Sequence, residues 1–224
     1  MIVCADRSIR LSVPSRCLPA VARHPFIRFQ PLPAIRCPSS AYPFPSVYPL
    51  PSVAARHHGD RLAEAHTHVD GIAGHFAIGA TKSGIEAAAD CRYLAVFEAK
   101  LYSPLASGTR HAAGYDQVSR TVACVINTLL RAGSPGPCAA HVVVLYPADN
   151  PSIDPARYTR SYLEGRIAAR VQEFGLPPSA PFACGWRAAL ATVRVSFVTW
   201  ETALAETGDD ALKTFYELCQ RFNR

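Results

Sequence analysis

The chain has 224 residues, 49% of them hydrophobic and 18% charged, with a formal charge of +6. That is enough for one well-cored domain plus an extension, and the composition is globular rather than fibrous or disordered. No apolar run approaches the ~20 residues that cross a bilayer, and the opening MIVCADRSIRLSVPSRC lacks the apolar stretch of a secretory signal. The expectation is a cytoplasmic protein with no membrane association.

The eight cysteines are scattered, with no C-x-x-C pair. That excludes a zinc ribbon or finger and a cluster with close-set ligands, and leaves reduced thiols acting as small hydrophobes. The charge is uneven. Residues 1–55 carry six Arg against one acid, Asp6, which leaves residues 56–224 at +1. The basic excess lies in the leader, so the pI of 9.0 is poor evidence for a nucleic-acid face on the body.

Residues 1–55 also hold ten of the nineteen prolines. That density breaks helices and central strands, so the expectation is a disordered or extended Pro/Arg-rich leader. Two other readings stay open: a natural start further downstream, or a garbled N-terminal part of the fold. An Arg-rich, acid-poor leader also loosely resembles a transit peptide.

From about residue 58 regular elements begin. Residues 60–65 read as a short helical piece capped by Asp60. Residues 66–76 read as one strand bent at its glycines, 85–90 as a turn, and 92–102 as a strand ending in a Pro/Gly/Ser loop. Residues 114–132 place Tyr115, Val118, Val122, Val125, Ile126 and Leu129 at helical spacing, and SPGP at 134–137 stops that helix. HVVVLY at 141–146 is apolar enough for a strand covered on both faces. A helix over 158–174 closed by Gly175, a strand over 193–200 and a helix over 209–222 complete the order. Trp186 falls in a loop on this reading. The predicted class is α/β, with one central sheet flanked by helices.

The chemistry gathers at one strand end. Tyr93-Leu94-Ala95-Val96-Phe97 runs into Glu98-Ala99-Lys100. Alternation puts Glu98 and Lys100 on one face and Ala99 on the other. Asp70, with 27 residues between it and Glu98, supplies a second carboxylate from a neighbouring strand. Two carboxylates and an amine hold a divalent cation and activate a water, which points to phosphodiester hydrolysis. The plain competitor is an exposed edge pair worth less than ~1 kcal/mol. The five apolar residues before Glu98 favour a central strand instead.

His68-Val69-Asp70-Gly71, Phe97-Glu98-Ala99-Lys100 and Tyr115-Asp116-Gln117-Val118-Ser119-Arg120, followed by the HVVVLY strand, resemble the PD-(D/E)XK nuclease superfamily. The family's Pro before the first Asp is replaced here by Val69. The resemblance implies a restriction-endonuclease-like core with a mixed central sheet over residues 56–224. It implies Mg²⁺, with Mn²⁺ substituting, held by Asp70, Glu98 and the Ala99 backbone carbonyl. Lys100 would orient or deprotonate the attacking water, Gln117 would reach toward the Lys or the phosphate, and Glu64 is a candidate further ligand. DNA is the implied substrate, and a homodimer would cut both strands.

Around this set several residues carry two readings. Glu64 also reads as a solvated helix acid. Arg120 shares a helix face with Gln117 and reads as a phosphate contact, or as a surface Arg bonded to Asp116 at i,i+4. Arg110 and His111 lie in a loop that would border the cleft, and read as substrate contacts or as solvated residues. Trp200-Glu201 reads as the end of the last strand, with Trp200 a core residue at the sheet edge. Two rival functions are kept. One is a nuclease-like binding or assembly module without turnover. The other is a fragment of a zinc amidohydrolase, from the alternating His66 and His68 before Asp70, although that fold needs a barrel of ~250 residues.

Overall fold

The computed structural model describes residues 42–43, 68–78, 85–88, 90–108, 112–133, 138–175, 178–179 and 181–223. The expected helix at 60–65, Glu64, His66, Arg110, His111 and the SPGP stop lie outside the described residues, as does the leader apart from one strand, Tyr42–Pro43 (β1). That strand pairs antiparallel with His68–Val69 (β2).

The predicted strand over 66–76 is three pieces: β2, Gly71–Gly74 (β3) and Phe76–Ile78 (β4). The chain bends at Asp70 and again at His75. Gly74 allows the second bend: its φ is +123°, and a Cβ there would strike the Tyr93 carbonyl. The turn expected over 85–90 is instead a strand, Ile85–Ala87 (β5), paired antiparallel with β4. Ile85 is buried and Glu86 exposed, an alternation too short to separate from a turn in sequence.

Tyr93–Ala99 (β6) and Ala139–Tyr146 (β7) are parallel neighbours. Parallel neighbours need a crossover, and Gln117–Arg131 (α1) supplies it. Every apolar position expected to line this helix is buried, as is Tyr115 just before it. Asp116 caps it: Oδ1 accepts from the Ser119 N–H at 3.0 Å. β7 pairs in turn with Val193–Thr199 (β8), again parallel, through two crossover helices, Arg160–Phe174 (α2) and Pro181–Thr192 (α3). β3 adds antiparallel on the other side of β6, so the main sheet is mixed, in the order β3-β6-β7-β8. The protein is therefore α/β, a mixed central sheet flanked by helices.

α3 is not expected from the sequence. Prolines at 177, 178 and 181 read as loop, yet Pro181 stands at the first helical position, where its missing N–H costs nothing. Trp186 is consequently not a loop residue but one of the largest buried side chains, at 1% exposure. Gly185 lets α3 approach α1, because a Cβ there would come within 2.7 Å of Leu130. The last strand stops at Thr199, one residue short of Trp200. Thr199 caps a new helix, Trp200–Thr207 (α4), by accepting from the Thr202 N–H, so Trp200 and Glu201 open a helix rather than close a strand. Gly208 ends α4, and Asp210–Asn223 (α5) follows.

Burial along β7 alternates. Ala140, Val142 and Val144 are fully buried, while His141 and Val143 are only half-buried. One sheet face is thus covered more deeply than the other, where the apolar run suggested equal cover. Cys91, Cys124 and Cys138 are buried thiols. No helix among the described residues is long and apolar enough to cross a membrane.

Truncating Trp186 to Ala should cost about 3–5 kcal/mol through lost burial and an unfilled cavity between α1 and α3. Thermal melting should show a fall of roughly 10 °C. A melting point near wild type would place Trp186 outside the core.

Candidate active site

The β3–β6 ladder pairs Gly71 with Phe97, and its continuation sets Asp70 beside Glu98. The Asp70 N–H donates to the Phe97 carbonyl at 2.9 Å, and Asp70 Oδ2 accepts from the Ala99 N–H at 2.8 Å. Register, not sequence distance, brings the two carboxylates together. Asp70 is exposed. Glu98, at 2% exposure, is buried at the C-terminal end of β6.

A buried carboxylate needs donors, and α1 supplies two. Glu98 Oε2 accepts from Gln117 Nε2 at 2.8 Å, and Oε1 accepts from the Thr121 hydroxyl at 3.0 Å. Gln117 and Thr121 are one helical turn apart, so they share a face. Gln117 also ties down the loop that follows β6. Its N–H donates to the Ala106 carbonyl at 2.8 Å, and its Oε1 accepts from the Ala106 N–H at 3.3 Å.

Lys100 is half-buried just beyond β6, and its backbone is held from both sides. Its N–H donates to the Leu145 carbonyl at 2.8 Å, and its carbonyl accepts from Trp200 Nε1 at 2.8 Å. The next carbonyl, of Leu101, accepts from Asn150 Nδ2 at 2.7 Å. Burial pushes the Glu98 carboxyl up to about 7, with the Asp70 charge adding to it. The Thr121 hydrogen bond and the Lys100 and Arg120 charges pull the other way.

Of the residues singled out in the sequence, Asp70, Glu98, Lys100 and Gln117 converge, with Ala99 between Glu98 and Lys100. Arg120 is half-buried near Glu98, and its Nε is enclosed without a hydrogen-bond partner. It does not bond the Asp116 carboxylate. That group is occupied by the Ser119 N–H, the Ser119 hydroxyl and the Tyr162 hydroxyl. Thr121, Trp200 and Asn150 were missed. Thr121 was readable as the residue one turn after Gln117, but nothing local marks Trp200 or Asn150 as props of the Lys100 segment. Trp200 is half-buried and does more than fill the sheet edge.

Among the described residues, no three His, Cys, Asp or Glu side chains gather as a ready ligand set. Asp70 and Glu98 nonetheless fit a hard divalent ion that takes one or two carboxylates and keeps water or phosphate oxygens for the rest. The Asp70 charge adds to the cost of ionising Glu98, and a cation beside them would offset that cost. Among the described residues, β2 with His68 pairs with β1, and the main sheet has four strands.

The raised Glu98 value sets a pH dependence. Between the ordinary 4.5 and about 7, the folded protein holds a proton that the unfolded chain has released. Stability from this group is therefore fully present below that window and falls as pH rises through it. In metal-free buffer, chemical denaturation should show wild type losing of order 3 kcal/mol relative to Glu98→Gln across that window. A constant difference would mean that Glu98 ionises as an ordinary carboxylate.

The chain matches no family model, no curated protein and no solved structure.

Proposed function

We propose that this protein is a Mg²⁺-dependent nuclease that hydrolyses DNA phosphodiester bonds on a restriction-endonuclease-like core. The observation that carries the reading is the convergence of Asp70, Glu98 and Lys100 at one strand end, with Gln117 bonded to Glu98. The topology agrees with it: an antiparallel β3–β6 pair bearing the acids, then a crossover helix bearing the Gln, then a parallel apolar strand.

Asp70, Glu98 and the Ala99 carbonyl would hold the cation. When bound, Mg²⁺ lowers the pKa of a water and polarises the scissile phosphate. Gln117 and Thr121 fix the Glu98 carboxylate so that its oxygens keep one orientation. Lys100 orients or deprotonates the attacking water and offsets negative charge growing on the phosphorus centre. Its pinned backbone limits the volume its amine can sweep. A binding module without turnover is the second reading. The complete Asp, Glu and Lys set favours the enzyme over it.

Plasmid cleavage in Mg²⁺, with Mn²⁺ as a substitute, tests the assignment. Lys100→Ala and Glu98→Gln should each slow cleavage by roughly 10²-fold or more, with circular dichroism unchanged. Equal rates for wild type and Lys100→Ala would refute the site. Calorimetric titration separates the module reading: no uptake of millimolar Mg²⁺ by wild type would sink the enzyme.

A further inference from the structure

Two arginines converge on Tyr162 near the start of α1, and among the described residues neither makes an ion pair with a carboxylate. Arg157 ends the short 3₁₀ turn Pro155–Arg157 after β7, and Arg166 lies within α2. Both sit over the Tyr162 ring, with guanidinium carbons 5.1 and 5.0 Å from its centre. Arg157 Nε and Nη2 donate to the Tyr162 hydroxyl oxygen at 3.0 and 2.7 Å, and that hydroxyl donates to Asp116 Oδ2 at 3.1 Å. Asp116 caps α1 immediately before Gln117, which holds Glu98. Arg166 lies close to the loop before α1, its Nη1 3.3 Å from where a Gly114 Cβ would stand. Both cations therefore stand where the chain leaves the C-terminal ends of parallel strands β6 and β7, the end of the sheet that carries Glu98.

Their charges are only partly matched among the described residues. Among the described residues the ion pairs are Arg170–Glu173 and Arg187–Glu164, and neither includes Arg157 or Arg166. The buried Asp116 carboxylate, reached through the Tyr162 hydroxyl, offsets part of the Arg157 charge. Asp154 caps the 3₁₀ turn through Oδ1 and adds a further negative charge three residues before Arg157. The two guanidinium carbons are at most about 10 Å apart, roughly one Debye length, so they repel. An anion from solvent relieves that repulsion, and planar guanidinium forks match phosphate oxygens.

We propose that Arg157 and Arg166 clamp a backbone phosphate of the DNA strand that passes through the Glu98 site. This rests on the nuclease reading and adds to it the residues that hold the strand beside the scissile bond. The clamp positions without reading sequence, since phosphates are the same at every step.

The test is the salt dependence of binding of a short fluorescent DNA duplex, followed by anisotropy in Ca²⁺ buffer. The double variant Arg157→Gln/Arg166→Gln should bind more weakly on every sequence, with the slope of log K against log salt reduced by about one unit for the one phosphate the pair holds. Arg157→Lys/Arg166→Lys, which keeps the charge, should retain most of the slope. Arg131→Ala, at the far end of α1 and about 21 Å along that helix from Gln117, should leave it unchanged. If the Gln double variant does not fold, Arg157→Gln alone, at an exposed position, reads the same slope. An unchanged slope in variants that still cleave plasmid overturns the clamp and leaves the nuclease standing. A wild type that neither binds nor cleaves DNA overturns both. Displacement of the arginine-dependent binding by inorganic phosphate far below the chloride concentration would assign the site to a free anion and overturn the strand assignment.

Discussion

A carboxylate buried at the end of a central strand constrains everything around it. Glu98 is out of water, so its oxygens must be met from within the protein, and the crossover helix α1 meets them. That helix must face the strand end with Gln117 and Thr121 and turn an apolar stripe to the core. It does so: Val118, Val122, Val125, Ile126 and Leu129 are all buried. The polar notch and the apolar stripe together fix both the rotation of the helix and its position along the sheet. Asp70 then adds a second negative charge to a group that burial already makes reluctant to ionise. Such an arrangement is costly for a structural site and useful for one that binds a cation.

The second constraint is on the backbone beyond Glu98. A strand end is free to fray unless something stops it, and here three parts of the chain do. β7 takes the Lys100 N–H, Trp200 of α4 donates to the Lys100 carbonyl, and Asn150 of the loop after β7 donates to the Leu101 carbonyl. Glu201, next to Trp200, accepts from the Ala148 N–H and from the Tyr216 hydroxyl, which binds α4 to that same loop and to α5. The C-terminal helices therefore brace the candidate site while contributing no group to its chemistry.

Much of this was legible because it rests on periodicity. β6, β7 and α1 follow from runs whose side chains must alternate or recur every turn, and the Glu-x-Lys face follows from strand geometry alone. α3 was illegible because its prolines signal loop wherever their place relative to the helix start is unknown. β5 was too short for its pattern to stand out. The bracing by Trp200 and Asn150 spans 100 and 49 residues, and no local pattern records a hydrogen bond between residues that far apart.

The sequence by itself determined the order of the main elements, the face on which Glu98 and Lys100 lie, and the helix whose Gln follows them. Backbone geometry sets these within a few residues, so tertiary contacts are not needed to read them. Only the tertiary structure decided that Asp70 stands beside Glu98, that Thr121 shares the burden of its charge, and that Arg157 and Arg166 meet over Tyr162. Each depends on strand register or on helix packing, and those are set by the burial of the whole core rather than by any short stretch of chain.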